Sequence, residues 1–110
     1  HNPILDELRK HPKVTIQSKS VAEDFGTLLS AKHIANSGVG TFGIAAALCS
    51  HNIETLHCTD ISMSEHLNYK MLLGTDVTVS LMPIDNYINV GEWTNSDEQR
   101  KYILEYDPIS

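Results

Sequence analysis

Asp24-Phe25-Gly26-Thr27-Leu28-Leu29-Ser30-Ala31-Lys32-His33-Ile34-Ala35-Asn36-Ser37-Gly38-Val39-Gly40-Thr41-Phe42-Gly43 reads as a helix, a short strand, a glycine-rich turn and the start of a second helix. That order decides the fold. A turn from strand to helix presents backbone N–H groups and the positive end of a helix dipole at the carboxyl end of the strand. α/β proteins hold phosphate there. Gly38 and Gly40 permit positive φ and close approach of a ligand to the backbone. The Thr41 hydroxyl and the N–H groups of Phe42 and Gly43 supply donors. Ser37, Gly38, Gly40, Thr41 and Phe42 are therefore the candidate lining of a diphosphate pocket. The competing reading is a plain connection whose glycines serve packing alone. The turn is read as shorter than either the dinucleotide fingerprint or the P-loop, and no Lys follows it.

Upstream, Ser20-Val21-Ala22-Glu23 is a capping box, and Val21, Phe25, Leu28 and Leu29 follow at helical spacing. Val14-Thr15-Ile16-Gln17-Ser18 alternates and is β-branched, which predicts a strand. Asn2-Pro3 opens a first helix carrying Ile4, Leu5 and Leu8 on one face, and Pro12 ends it. Downstream, Thr41 or Gly40 caps a helix through Ile44-Ala45-Ala46-Ala47-Leu48 to about Ser50. That helix is apolar nearly all round, so burial on more than one side is expected. Ile53-Glu54-Thr55-Leu56-His57 reads as a strand, and Ser64 to Leu73 as a helix closed by Gly74. Val77, Val79 and Leu81 alternate up to Pro83, and a second capping box from Ser96 to Gln99 starts a last helix that ends before Pro108. Helices and strands alternate with short loops, which predicts an α/β fold with a Rossmann-like parallel sheet and right-handed crossovers.

The chain of 110 residues is sized for one domain, residues 1–110. Its formal net charge of -6 argues against a general nucleic-acid or anionic-membrane surface. It leaves room for a local phosphate pocket built from backbone N–H groups. No apolar run approaches the roughly 18 residues of a membrane span. Cys49 and Cys58, the two cysteines, make no disulfide framework and are expected as free thiols in or near the core. No Asn-x-Ser/Thr sequon is present, and the compartment stays open. A small parallel sheet needs both faces covered. That need, and a start at His1 rather than Met, create the expectation of a longer protein.

Residues 24–48 resemble the last motif of the inverting fucosyltransferase superfamily, closest to its alpha-1,2-fucosyltransferase branch. That branch carries an Asp opening a helix, a run like Ile-Ala-Asn-Ser, and a Ser/Thr-Phe step into an apolar helix. Here those are Asp24, Ile34-Ala35-Asn36-Ser37, Thr41-Phe42 and Ala45-Ala46-Ala47-Leu48. The pattern departs in two ways: Gly38-Val39-Gly40 is inserted before Thr41, and Ile44-Ala45 stands where an aromatic pair is common. The family's diphosphate-clamping Arg is not visible in the chain. The resemblance implies a C-terminal, nucleotide-sugar-binding part of a two-domain GT-B glycosyltransferase that packs on an N-terminal domain. It implies GDP-fucose as donor and a glycan as acceptor. Asp24 would then contact base or ribose, and Thr41 and Phe42 the diphosphate. No metal or other cofactor is expected for such a transfer. A transferase using another nucleotide sugar and a non-catalytic α/β interaction module are the alternatives.

His57, Cys58, Asp60 and His66 fall near the functional edge of a parallel sheet, but their spacing matches no zinc pattern. Ordinary histidines are expected there, with a ligand contact at His57 to Asp60 favoured only by position. A Ser/His/Asp hydrolase would need a Gly-x-Ser-x-Gly elbow, and none exists. Trp93 with Tyr87 suits either a sugar platform or an anchor for the last helix, the anchor being the more common use of Trp. Asp97-Glu98-Gln99-Arg100-Lys101 reads as a solvated helix face.

Overall fold

The computed structural model describes residues 3–36, 40–60, 67–85, 87–89 and 91–107. They gather in two compact units, Lys19–Ile84 on one side and His1–Ser18 with Asp85–Ser110 on the other.

The Lys19–Ile84 unit is mixed α/β. It runs α2 (Val21–Ser30), β1 (His33–Asn36), α3 (Phe42–Cys49), β2 (Thr55–Thr59), a 3₁₀ turn (Tyr69–Leu72) and β3 (Thr78–Met82), following α1 (Pro3–Arg9) of the other unit. The three strands form one parallel sheet in the order β1-β2-β3. Ile34 lies level with Leu56, and Leu56 with Val79. The sheet steps in one direction, so right-handed crossovers put both connections on the same face. Accordingly Ile44 and Ala47 of α3 and Leu72 of the 3₁₀ turn bury against Ile34, Leu56 and Cys58. Leu28, Ala31, Ile53, Tyr69, Val77 and Val79 close the rim of this core.

The opposite face carries His33, Ala35, His57, Thr78, Ser80 and Met82, all exposed, with the half-buried Thr55 and Thr59. The parallel sheet therefore has one covered and one open face, whereas such sheets are usually covered on both. Among the described residues no helix is long and apolar enough to cross a membrane.

Local chemistry explains the helix starts. Ser20 Oγ accepts from the Glu23 N–H at 3.1 Å and donates to Glu23 Oε1 at 3.2 Å, so Ser20 caps the helix and Glu23 meets the serine hydroxyl. The Lys19 N–H adds a bond to the Asp24 carboxylate, 3.2 Å from each oxygen. Ser20→Ala removes an N-cap acceptor, so urea unfolding should show a loss of about 1 kcal/mol. An unchanged midpoint would mean that Asp24 alone holds this end.

In the second unit, α1 packs with α4 (Asp97–Glu105). Ser96 caps α4 by accepting from the Gln99 N–H at 3.2 Å. The Gln99 side chain reaches back to the Thr94 N–H at 2.7 Å and to the Glu92 carbonyl at 2.8 Å. Tyr87 packs on Tyr106 with ring centroids 4.6 Å apart and on Tyr102 at 6.1 Å. Burial between these rings pushes the Tyr87 phenol above its ordinary pKa.

Three expectations are corrected. Val14–Ser18 carries no strand: the Val14 N–H closes a turn onto His11, and the segment joins no ladder. Of the helix expected from Ser64 to Leu73, residues 64–66 lie outside those described, and the rest is only the 3₁₀ turn Tyr69–Leu72 capped by Asn68. Cys49 is exposed, so only Cys58 sits in the core. Burial on several sides holds for α3 toward α2, β1 and the 3₁₀ turn, but Phe42 and Leu48 remain 41% and 43% exposed.

Candidate functional site

The connection from β1 to α3 lies at the carboxyl end of the parallel sheet. Ser37, Gly38 and Val39 lie outside the described residues. Of the other candidates, Gly40 and Thr41 are exposed at the entry to α3, and Phe42 begins the helix. Thr41 holds the N-cap position, and its carbonyl accepts the first helical bond from the Ala45 N–H at 2.9 Å. Its backbone is in the αR region, and its hydroxyl makes no cap hydrogen bond. The expectation that Thr41 or Gly40 caps α3 is met in position only. Hydroxyl capping needs an extended backbone, which Thr41 does not adopt. The first-turn amides of α3 are thus not occupied by the hydroxyl that usually satisfies them.

Asn36, the last residue of β1, spans the turn: its Nδ2 donates to the Gly40 carbonyl at 3.4 Å. Behind it, Gly43 leaves the space that Asn36 needs. A Cβ at Gly43 would lie 2.8 Å from Asn36 Nδ2. Phe42 turns its ring to Phe25 in an edge-to-face contact with centroids 5.3 Å apart. The Phe42 side chain therefore joins α3 to α2. Asp24, half-buried in the first turn of α2, uses both carboxylate oxygens on the Lys19 N–H.

Two residues gain importance that residue type alone did not give them. Gly38, Gly40 and Gly43 have the spacing Gly-x-Gly-x-x-Gly, which corrects the reading of the turn as shorter than the dinucleotide fingerprint. The pattern follows β1 and opens α3, the context it requires, and Gly43 fills the close-packing role of the third glycine. Asp60 stands one residue beyond β2 and 22 residues after Gly38, where that fingerprint places an acid for ribose hydroxyls. Its Oδ1 accepts from the Ile84 N–H at 3.3 Å, which ties the end of β2 to the chain leaving β3. The glycine spacing is a feature of the sequence itself.

The other constellations separate. His57 is exposed on the open face of the sheet, Cys58 is buried on the covered face, and His66 lies outside the described residues. Strand alternation thus splits neighbours that look clustered in sequence. Burial pushes the Cys58 thiol above its ordinary pKa, as suits an inert core thiol. Among the described residues no three His, Cys, Asp or Glu side chains group as a metal site. Trp93 is 44% exposed, and Tyr87 belongs to the tyrosine cluster.

The chain matches no family model, no curated protein and no solved structure.

Proposed function

We propose that this chain is the nucleotide-sugar-binding part of a GT-B-type glycosyltransferase, with GDP-fucose the donor that the resemblance implies. What supports the reading is the start of α3, where the Thr41 hydroxyl makes no cap hydrogen bond, following a glycine-rich segment at the carboxyl end of β1 in a parallel sheet. The N–H groups of Phe42 and Gly43, with Gly40 and Thr41, would receive the diphosphate. Asp24 or Asp60 would receive ribose hydroxyls. In an inverting transfer the acceptor oxygen displaces the nucleotide diphosphate in one step. The amides and the helix dipole stabilise the charge gathering on that leaving group. The acceptor hydroxyl also needs a general base.

A second reading is favoured by the three-glycine spacing with Asp60, namely a dinucleotide such as NAD+ at the same turn. Thermal-shift titrations with GDP, GDP-fucose, UDP and NAD+ separate the two. A ligand at a hundredfold excess over its Kd adds about 2.7 kcal/mol, which is a shift of many degrees for a unit this small. GDP and GDP-fucose should shift the transition and NAD+ should not; a shift with NAD+ alone selects the second reading. Asp24→Ala should weaken GDP binding while only modestly lowering the ligand-free Tm, because Ser20 still caps α2. If no nucleotide shifts the transition, the turn serves packing, as in a non-catalytic module.

A further inference from the structure

On the open face of the sheet, away from the β1–α3 turn, two imidazoles meet. His33 Nδ1 and His57 Nε2 are 3.2 Å apart, and the rings stack with centroids 5.4 Å apart and planes inclined by 28°. The register explains the meeting. His33 pairs with Thr55 and His57 with Ala35, so the two histidines are diagonal neighbours on one face. The small Ala35 and Ser80, level with His57 on either side, leave the ring room to lean toward His33.

Two nitrogens bound to one ion at the usual metal–imidazole length of about 2.0–2.1 Å stand about 2.9 Å apart in a square or octahedral site and about 3.4 Å apart in a tetrahedral one. The observed separation falls between these values. We propose that His33 and His57 form a two-histidine chelate for a borderline divalent ion of the Ni2+, Cu2+ or Zn2+ type, with water in the remaining positions. Imidazole suits these ions, whereas Mg2+ and Ca2+ prefer oxygen ligands. In the metal-free pair one ring donates its N–H to the other. Binding requires that proton to leave the shared edge for the far nitrogen of its own ring, so each neutral imidazole keeps one N–H and offers one lone pair. The excess of acidic residues in the chain, 14 against 8 basic, favours cations at its surface. This site is independent of the nucleotide reading.

Calorimetric titration with Ni2+ tests it, with Cu2+ electron paramagnetic resonance counting the nitrogen ligands. The parent should bind about tenfold or more tighter than His33→Ala or His57→Ala, since either loss turns a chelate into a single contact. The double variant should bind more weakly than either single one but by less than the product of the two single losses, because once one histidine is gone the other makes only a single contact, and His51→Ala should match the parent. The Cu2+ spectrum should show two coordinated imidazole nitrogens in the parent and one in each single variant. Both histidines are exposed, so circular dichroism should be unchanged in all variants. Equal Ni2+ affinity in parent and His57→Ala, or losses that multiply in the double variant, would overturn the chelate.

Discussion

Leu56→Ala should lower the unfolding free energy by about 2–5 kcal/mol, the largest stability effect expected of a single truncation here. Leu56 is in the middle strand and is 0% exposed. It is flanked in register by Ile34 and Val79 and belongs to the core beneath α3 that also holds Ile44, Ala47 and Leu72. Truncation leaves a void that rigid strands on both sides cannot close. Single domains are stable by only about 5–15 kcal/mol, so the substitution consumes a large part of the whole. Urea unfolding should show a lower midpoint with an unchanged slope. Leu81→Ala, on the same strand face but 41% exposed, should cost far less. Equal costs at the two positions would show that the core is not centred on β2.

The contrast between Leu56 and Leu81 also marks what could be read in the sequence. Ile53–His57 read as a strand and the alternating Val77, Val79 and Leu81 as a strand or extended segment; β2 forms two residues later, at Thr55–Thr59, and β3 at Thr78–Met82. Both serine caps were legible, since a cap is a contact within four residues of chain. Gly74, expected to close a helix, instead follows the short 3₁₀ turn and has a φ of 84°. Val14–Ser18 failed for the opposite reason. Its β-branched residues favour an extended backbone, but a strand exists only where a partner supplies the ladder, and no local pattern reports that. The helix expected to end at Leu73 fell short because Asn68 caps the Lys70 N–H and starts a new, tighter turn. In the candidate site, the glycines and Asp24 stand out by residue type alone. The histidine pair does not, because His33 and His57 meet only through the β1–β2 register.

Gly43→Val should damage both the fold and the turn, and here the two effects can be read apart. A Cβ at this position would meet Asn36 Nδ2 at 2.8 Å, Cγ at 3.5 Å and Cβ at 3.6 Å. Asn36 must then swing away, giving up its bond to the Gly40 carbonyl. For Gly43→Ala the clash falls on the far end of one side chain. It is offset by the gain of about 1 kcal/mol that Ala brings over Gly inside a helix. Its stability should therefore stay within about 1 kcal/mol of the parent. Valine adds two methyl groups in the same gap and has a poorer helix preference, so a net loss of about 1–3 kcal/mol is expected. Both variants should weaken GDP binding in the thermal-shift titration. Asn36 and Gly40 define the path of the backbone into the first amides of α3, and that path is what a diphosphate would meet. Nucleotide binding that survives in Gly43→Ala would detach the turn from the phosphate. A Gly43→Val protein as stable as the parent would show that Asn36 does not hold the carboxyl end of β1 against α3.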